Sequence, residues 1–129
     1  MVEPVEGMPA VTVHVRDIQA ARRFYREVLG LHEAGFNEQT GRAVFVLPGT
    51  PTVLAMHVPR PGEQGREPGT VSGIIFANHD PAAAAEEIRR RGGTITSEAT
   101  SAPGPGGPIV RVVIADPDGN EFVISSGHR

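Results

Sequence analysis

Residues 115–126, ADPDGNEFVISS, join a tight turn to a strand. The DPDG segment at 116–119 favours a turn, because proline presets one backbone dihedral, aspartate bonds locally and glycine accepts a positive φ. The residues from Glu121 to Ser125 alternate in polarity, as in a half-buried strand. This strand contains one carboxylate, Glu121. The pattern predicts a hairpin end and leaves open whether Glu121 is a metal ligand, a base or a rim residue.

The composition is that of one ordinary globular domain. Of the 129 residues, 39% are hydrophobic and 21% are charged. The formal net charge of −3 argues against nucleic-acid binding, which requires a basic patch. The chain has no cysteine, so disulfides, thiol catalysis and thiolate metal sites are excluded. No apolar run reaches the length of a membrane span and no signal peptide is visible, so we expect a cytoplasmic protein without membrane partners.

The first half of the chain predicts a strand, a helix and further strands. Residues 10–15 alternate in polarity, with the valines on one face. Asp17 is expected to be a helix N-cap and Gly30 to end that helix. Tyr25 belongs to its apolar stripe and is expected to pack in the core. Two more strands are predicted around a Pro-Gly turn, at 42–47 and 52–58.

The second half repeats this order after a polar Pro/Gly linker at 59–69. Asp80 is a predicted N-cap followed by proline, and Gly92-Gly93 ends the helix. Asp17 and Asp80 are related by a shift of 63 residues, as are Gly30 and Gly93. The repeat predicts an α+β fold of two tandem units. The strands predicted in the second unit are 71–77, near 94–97, near 109–115 and near 121–125.

Two stretches resemble the signatures of a known family. VRDIQAARRFYREVLGL at 15–31 and DPDGNEFVI at 116–124 are similar to those of the vicinal oxygen chelate superfamily. That group includes glyoxalase I, the bleomycin-type resistance proteins and the extradiol dioxygenases. The resemblance implies a single domain over 1–129, with βαβββ modules at about 8–58 and about 70–126. It also implies that the curved mixed sheets form a cup, usually completed in a homodimer.

The resemblance also implies where a metal would be bound. Enzymes of the superfamily typically hold one divalent ion through His, Glu or Gln side chains of the first and fourth strands of each module. Carried over one position at a time, these ligands fall on Ala10, Ala55, Gly73 and Val123. None of the four has a donor side chain. We therefore expect no metal and no other cofactor.

Alternation and the resemblance together predict which residues line the cup. His14 and His57 would share a face on neighbouring strands, so their imidazoles could lie close together. Arg111 could bind an anionic ligand or be solvated, and Glu121 is more simply a rim carboxylate. The predicted ligand-binding residues are Thr12, His14, Val53, Ala55, His57, Gly73, Ile75, Arg111, Glu121 and Val123.

Three functions are compatible with this sequence. The first is a metal-free protein that sequesters an apolar or aromatic small molecule in the cup. The second is a metal-dependent lyase, isomerase or dioxygenase with a displaced site formed by His14, His57 and Glu121. The third is a protein whose role is a partner interface. Whether the protein is catalytic stays open at this point, as do the ligand and the dimer arrangement.

Overall fold

The computed structural model describes residues 3–63 and 67–127, so residues 64–66 of the predicted linker lie outside the described residues. Its first α-helix continues directly into a π-helical turn, which we treat as the last turn of α1. In chain order the elements are β1 (Ala10–His14), α1 (Ile18–Arg23, with the π turn Phe24–Val28), β2 (His32–Asn37), β3 (Arg42–Val46), β4 (Val53–His57), β5 (Ile74–Ala77), α2 (Pro81–Arg90), β6 (Thr94–Ala102), β7 (Ile109–Ala115) and β8 (Glu121–Ser125).

The strands form two four-stranded mixed sheets, one for each half of the chain. Sheet A has the order β1-β4-β3-β2 and sheet B the order β5-β8-β7-β6. In both, the first strand of the module pairs in parallel with its fourth, and the other pairs are antiparallel. The predicted α+β fold of two tandem βαβββ modules is therefore confirmed.

Both helices begin at the predicted aspartates. The Asp17 carboxylate accepts hydrogen bonds from the backbone N–H groups of Gln19 and Ala20, and Asp80 accepts one from Ala83. Each bond satisfies a donor that the first turn of a helix leaves without an intrahelical partner.

The glycine that ends each helix lies one residue farther from the N-cap in α1 than in α2. In α2, Gly92 has a φ of 92° and the Gly93 N–H bonds to the Ile88 carbonyl, as in a Schellman cap. In α1 the positive φ is at Gly30, and the Leu29 N–H bonds five residues back, to Phe24. The π turn accommodates the extra residue. Gly30 therefore corresponds in structure to Gly92, and the shift of 63 that holds at the caps becomes 62 here.

One apolar core is shared by the two modules. Valines and aromatic residues of sheet A and α1 are buried together with isoleucines and Phe122 of sheet B. Tyr25 is fully buried, as predicted, and its ring lies 5.9 Å from that of Phe45 and 6.0 Å from that of Phe122, between centroids. Because side chains alternate along a strand, the opposite face of each sheet points away from this core.

Two boundaries differ from the sequence prediction. The strand predicted at 71–77 begins only at Ile74, because Gly73 has a φ of 91°, which is not strand conformation. The short strand predicted near 94–97 is β6, which runs on to Ala102 and pairs with β7. The second strand of the first module, for which no bounds were predicted, is β2 and begins at His32. No helix in the described ranges is long and apolar enough to cross a membrane.

Candidate functional site

A row of polar side chains crosses the outward face of sheet A. His14 on β1 is level with His57 on β4, and His57 is level with Arg42 on β3. Arg42 is in turn level with Asn37 on β2. Neighbouring strands are about 4.8 Å apart, so directly paired side chains on one face are close neighbours. We call these four residues the polar row.

The two imidazoles of the row are adjacent, as predicted. The ring centroids of His14 and His57 are 6.2 Å apart and the ring planes are nearly perpendicular. Both side chains are half-buried. Each imidazole offers a ring nitrogen that can donate or accept a hydrogen bond, depending on its protonation.

The polar row borders an open cavity of about 510 Å³. The cavity lies between the ends of β1 and β4, the β2–β3 turn and the segment that leaves β4. The Asn37 side chain organises the turn, because its Oδ1 accepts hydrogen bonds from the backbone of Gln39 and Thr40. The residues that line the cavity are Thr12, His14, Asn37, Thr40, Arg42, His57, Arg60 and Glu63.

The DPDGN turn of the second module supports the β1 end of this cavity. Asn120 donates through Nδ2 to the backbone carbonyl of His14, at 3.0 Å, and to Oδ2 of Asp116. The hydroxyl of Tyr25 donates to the same Asp116 oxygen at 2.7 Å. Burial, together with the neighbouring Asp116 carboxylate, raises the pKa of Tyr25 above its ordinary range. The turn is therefore a buried tie between the modules that holds the backbone of His14.

The structure distributes the ten predicted ligand-binding residues over more than one surface. Thr12, His14 and His57 line the sheet A cavity. Ile75 instead lines a second cavity, of about 610 Å³, between the end of α1, α2, β5 and the loop at 47–50. The remaining predicted residues line neither of these two cavities: Val53, Ala55, Gly73, Arg111, Glu121 and Val123.

The environments of these remaining residues are different from one another. Ala55 has no exposed surface although it lies on the outward face of sheet A. Gly73 is exposed just before β5, and Arg111 is exposed on β7. Glu121 and Val123 are half-buried on β8, and the Glu121 backbone N–H bonds to the Val71 carbonyl.

Sequence reasoning missed five residues of the cavity, among them Arg42. The alternation of RAVFV in β3 places Arg42 on the face opposite Phe45, which is fully buried, so this signal was present in the sequence. Asn37 is the last residue of β2, Thr40 lies in the β2–β3 turn, and Arg60 and Glu63 belong to the segment after β4. For these four residues the sequence offers no comparable periodicity.

The sequence model of the glyoxalase/bleomycin resistance protein/dioxygenase superfamily matches residues 7–124. This chain belongs to that superfamily. A superfamily member from Sphaerobacter thermophilus is 30% identical, with a TM-score of 0.77 over 94% of this chain and 97% of that one. A search of the curated proteins finds no match.

Other solved structures share the fold at lower identity. TnmS3, an antibiotic binding protein from Streptomyces sp. CB03234, is 22% identical, with a TM-score of 0.75 over 95% of this chain and 97% of that one. A virulence protein from Salmonella typhimurium is 25% identical, with a TM-score of 0.71 over 97% of this chain and 98% of that one.

The residues present do not fit the divalent metal of the superfamily's enzymes. The positions to which the resemblance assigns the ligands hold Ala10, Ala55, Gly73 and Val123, and none of these side chains has a donor atom. The displaced set of His14, His57 and Glu121 does not assemble either. Within 3–63 and 67–127, no group of three or more His, Asp or Glu side chains could hold a metal ion.

Proposed function

We propose that this protein is a metal-free small-molecule binding protein that holds an apolar or aromatic ligand against sheet A without converting it. The observation that carries the proposal is the cavity of about 510 Å³ beside His14 and His57, on the outward face of a family fold whose metal positions lack donors. A cavity of this volume is within the usual range for small-molecule sites. The similarity to TnmS3, which binds an antibiotic, supports a sequestration role.

The protein is proposed to act as a cytoplasmic homodimer. The outward face of sheet B exposes apolar surface, with Ile75 at 50% of its full exposure. A symmetric dimer would cover such surfaces by placing the same patch of both subunits together. Sedimentation equilibrium tests this arrangement, and a monomer at micromolar concentration would contradict it.

Binding is tested by a thermal-shift screen of aromatic and antibiotic-like compounds with the full chain. A ligand that binds only the folded state at 100 times its Kd stabilises the protein by about 2.7 kcal/mol. We expect hits whose shift is reduced in His57→Gln, and unchanged in Arg23→Gln on the exposed surface of α1. Isothermal titration and mass spectrometry of the recovered ligand then give the affinity and show whether the ligand is intact.

Two results would contradict the proposal. Chemical conversion of a hit at a rate that depends on His14 or His57 would show an enzyme. About one equivalent of metal that survives dialysis and is lost in His57→Ala would favour the alternative, a lyase, isomerase or dioxygenase with a displaced site. Intact hits with no retained metal would support sequestration.

A further inference from the structure

The charges around the sheet A cavity define a ligand class more narrowly than the fold does. We propose that the cavity binds the anionic group of a small aromatic or aliphatic acid, with Arg42 as the main contact and the apolar part of the acid lying along β3. The inference rests on the proposed small-molecule function and adds the chemical class and the orientation of the ligand.

The cavity is cationic in a chain that is acidic overall. Arg42 and Arg60 line it against one carboxylate, Glu63, while the formal net charge of the whole chain is −3. His14 and His57 add two groups that can donate hydrogen bonds. The Glu63 carboxylate is engaged by the Arg60 backbone N–H at 2.8 Å. Local positive charge in a concave site attracts anions.

Arg42 is the group best placed to meet an acid. It stands level with His57, near the middle of the polar row, and it is exposed. Across the described residues, its guanidinium forms no ion pair with a carboxylate. By contrast, several arginines of α1 and α2 form ion pairs with carboxylates, for example Arg22 with Glu33. A planar guanidinium binds a carboxylate through two parallel hydrogen bonds.

The same face of β3 is apolar beyond Arg42. Val44 and Val46 follow at two-residue intervals on this face, and Val46 is level with Val53 of β4. The four-residue step from Arg42 to Val46 spans about 13 Å, so this face has room for a bound carboxylate and a two-ring aromatic body beside it. Val44 is half-buried and Val46 is 40% exposed, so both present surface to a ligand. One end of the bound molecule is therefore expected to be charged and the other apolar.

The proposal is tested with two probes of the same shape, 2-naphthoate and 2-naphthamide, by isothermal titration against the full chain. The acid is expected to bind about tenfold or more tightly than the amide, as for a charged hydrogen-bond pair. Arg42→Gln is expected to reduce this ratio to about one with little change for the amide. Arg42→Lys keeps the charge and should keep part of the preference. Arg23→Gln, at an exposed position of α1, is the matched control and should leave the acid-to-amide ratio unchanged.

Backbone amide NMR shifts locate the bound acid. Perturbations at His57, Arg42 and Val44 would support the proposal, and perturbations confined to sheet B would overturn it. Equal affinity for acid and amide, or a preference that survives in a folded Arg42→Gln, would overturn this inference and leave small-molecule binding intact. Absence of binding by both probes would also overturn it, while the wider compound screen decides separately on the proposed function.

Discussion

Replacing Tyr25 by Phe removes one buried hydroxyl that ties the modules together. The Tyr25 hydroxyl donates to Oδ2 of Asp116 at 2.7 Å, and both residues are at most 5% exposed. A hydrogen bond to a charged acceptor contributes about 1.5–3 kcal/mol to stability. Asp116 keeps its hydrogen bonds from Asn120 and from the Asp118 backbone N–H, so its carboxylate does not lose all of its donors. We therefore expect Tyr25→Phe to lower the free energy of unfolding by about 2 kcal/mol.

This loss is large enough to measure by heat and by urea. With an unfolding entropy of about 2.1 cal/mol/K per residue, 2 kcal/mol in a chain of this length corresponds to about 7 °C in Tm. The ring contacts with Phe45 and Phe122 are retained, so the urea m-value should not change.

Thr70→Val is the matched control for this experiment. It removes an exposed hydroxyl bonded to the Glu67 carbonyl at 2.8 Å, and it should cost less than about 0.5 kcal/mol. A Tyr25→Phe loss no larger than that of the control would refute the assigned role of the buried bond.

Three further predictions concern titration and backbone conformation. Tyr25 is the only tyrosine and there is no tryptophan, so phenolate absorbance reports this side chain alone. Because the pKa of Tyr25 is raised in the folded state, the stability of the protein should be intact below the ordinary pKa of 10.0 and should fall above it. Phenolate should appear only as the circular dichroism signal is lost. An absorbance step at lower pH than this loss would contradict the burial of Tyr25. The paired guanidinium of Arg22 lowers the pKa of Glu33, so this carboxylate adds stability above its ordinary pKa of 4.5, and that stability is lost as the pH falls. In urea titrations, the free energy of unfolding should depend less on acid pH in Glu33→Gln, and an unchanged dependence would count against the ion pair. Gly69→Ala places a methyl group against the Asp118 carbonyl at a φ of 82°, whereas Gly62 has a similar φ of 85° and open space around it. Calorimetry should show that Gly69→Ala destabilises the protein by more than about 1 kcal/mol relative to Gly62→Ala. Equal losses of stability in the two variants would contradict the clash.

Much of the fold was predictable because local patterns agree with it. The Asp17 and Asp80 caps, the alternating strands of β1 and β8 and the order of elements each depend on a few neighbouring residues. The π turn at Phe24–Val28 was not predicted. The full length of β6 was missed because TITSEATSA is polar on both faces, and only its pairing with β7 makes it a strand.

The site was less predictable than the fold, since strand faces follow from alternation but strand register does not. Alternation places His57 and Arg42 on outward faces, whereas their alignment at one level depends on the β3–β4 connection. Glu121 lies on the predicted strand but lines neither of the two cavities described above, a placement that alternation alone does not predict.

Comparison of the two sheets shows that the candidate site depends on its side chains, because sheet B has the same backbone pairing. In sheet B the level that corresponds to the polar row contains Ala77, Ser125 and Arg111, paired in the same order as His14, His57 and Arg42. An arginine stands at the third position in both sheets, but only sheet A adds imidazoles. Ser125 is buried, while His57 is half-buried and borders a cavity. The same backbone arrangement thus occurs twice in one chain, and the candidate chemistry arises where the sequence places two histidines beside an arginine.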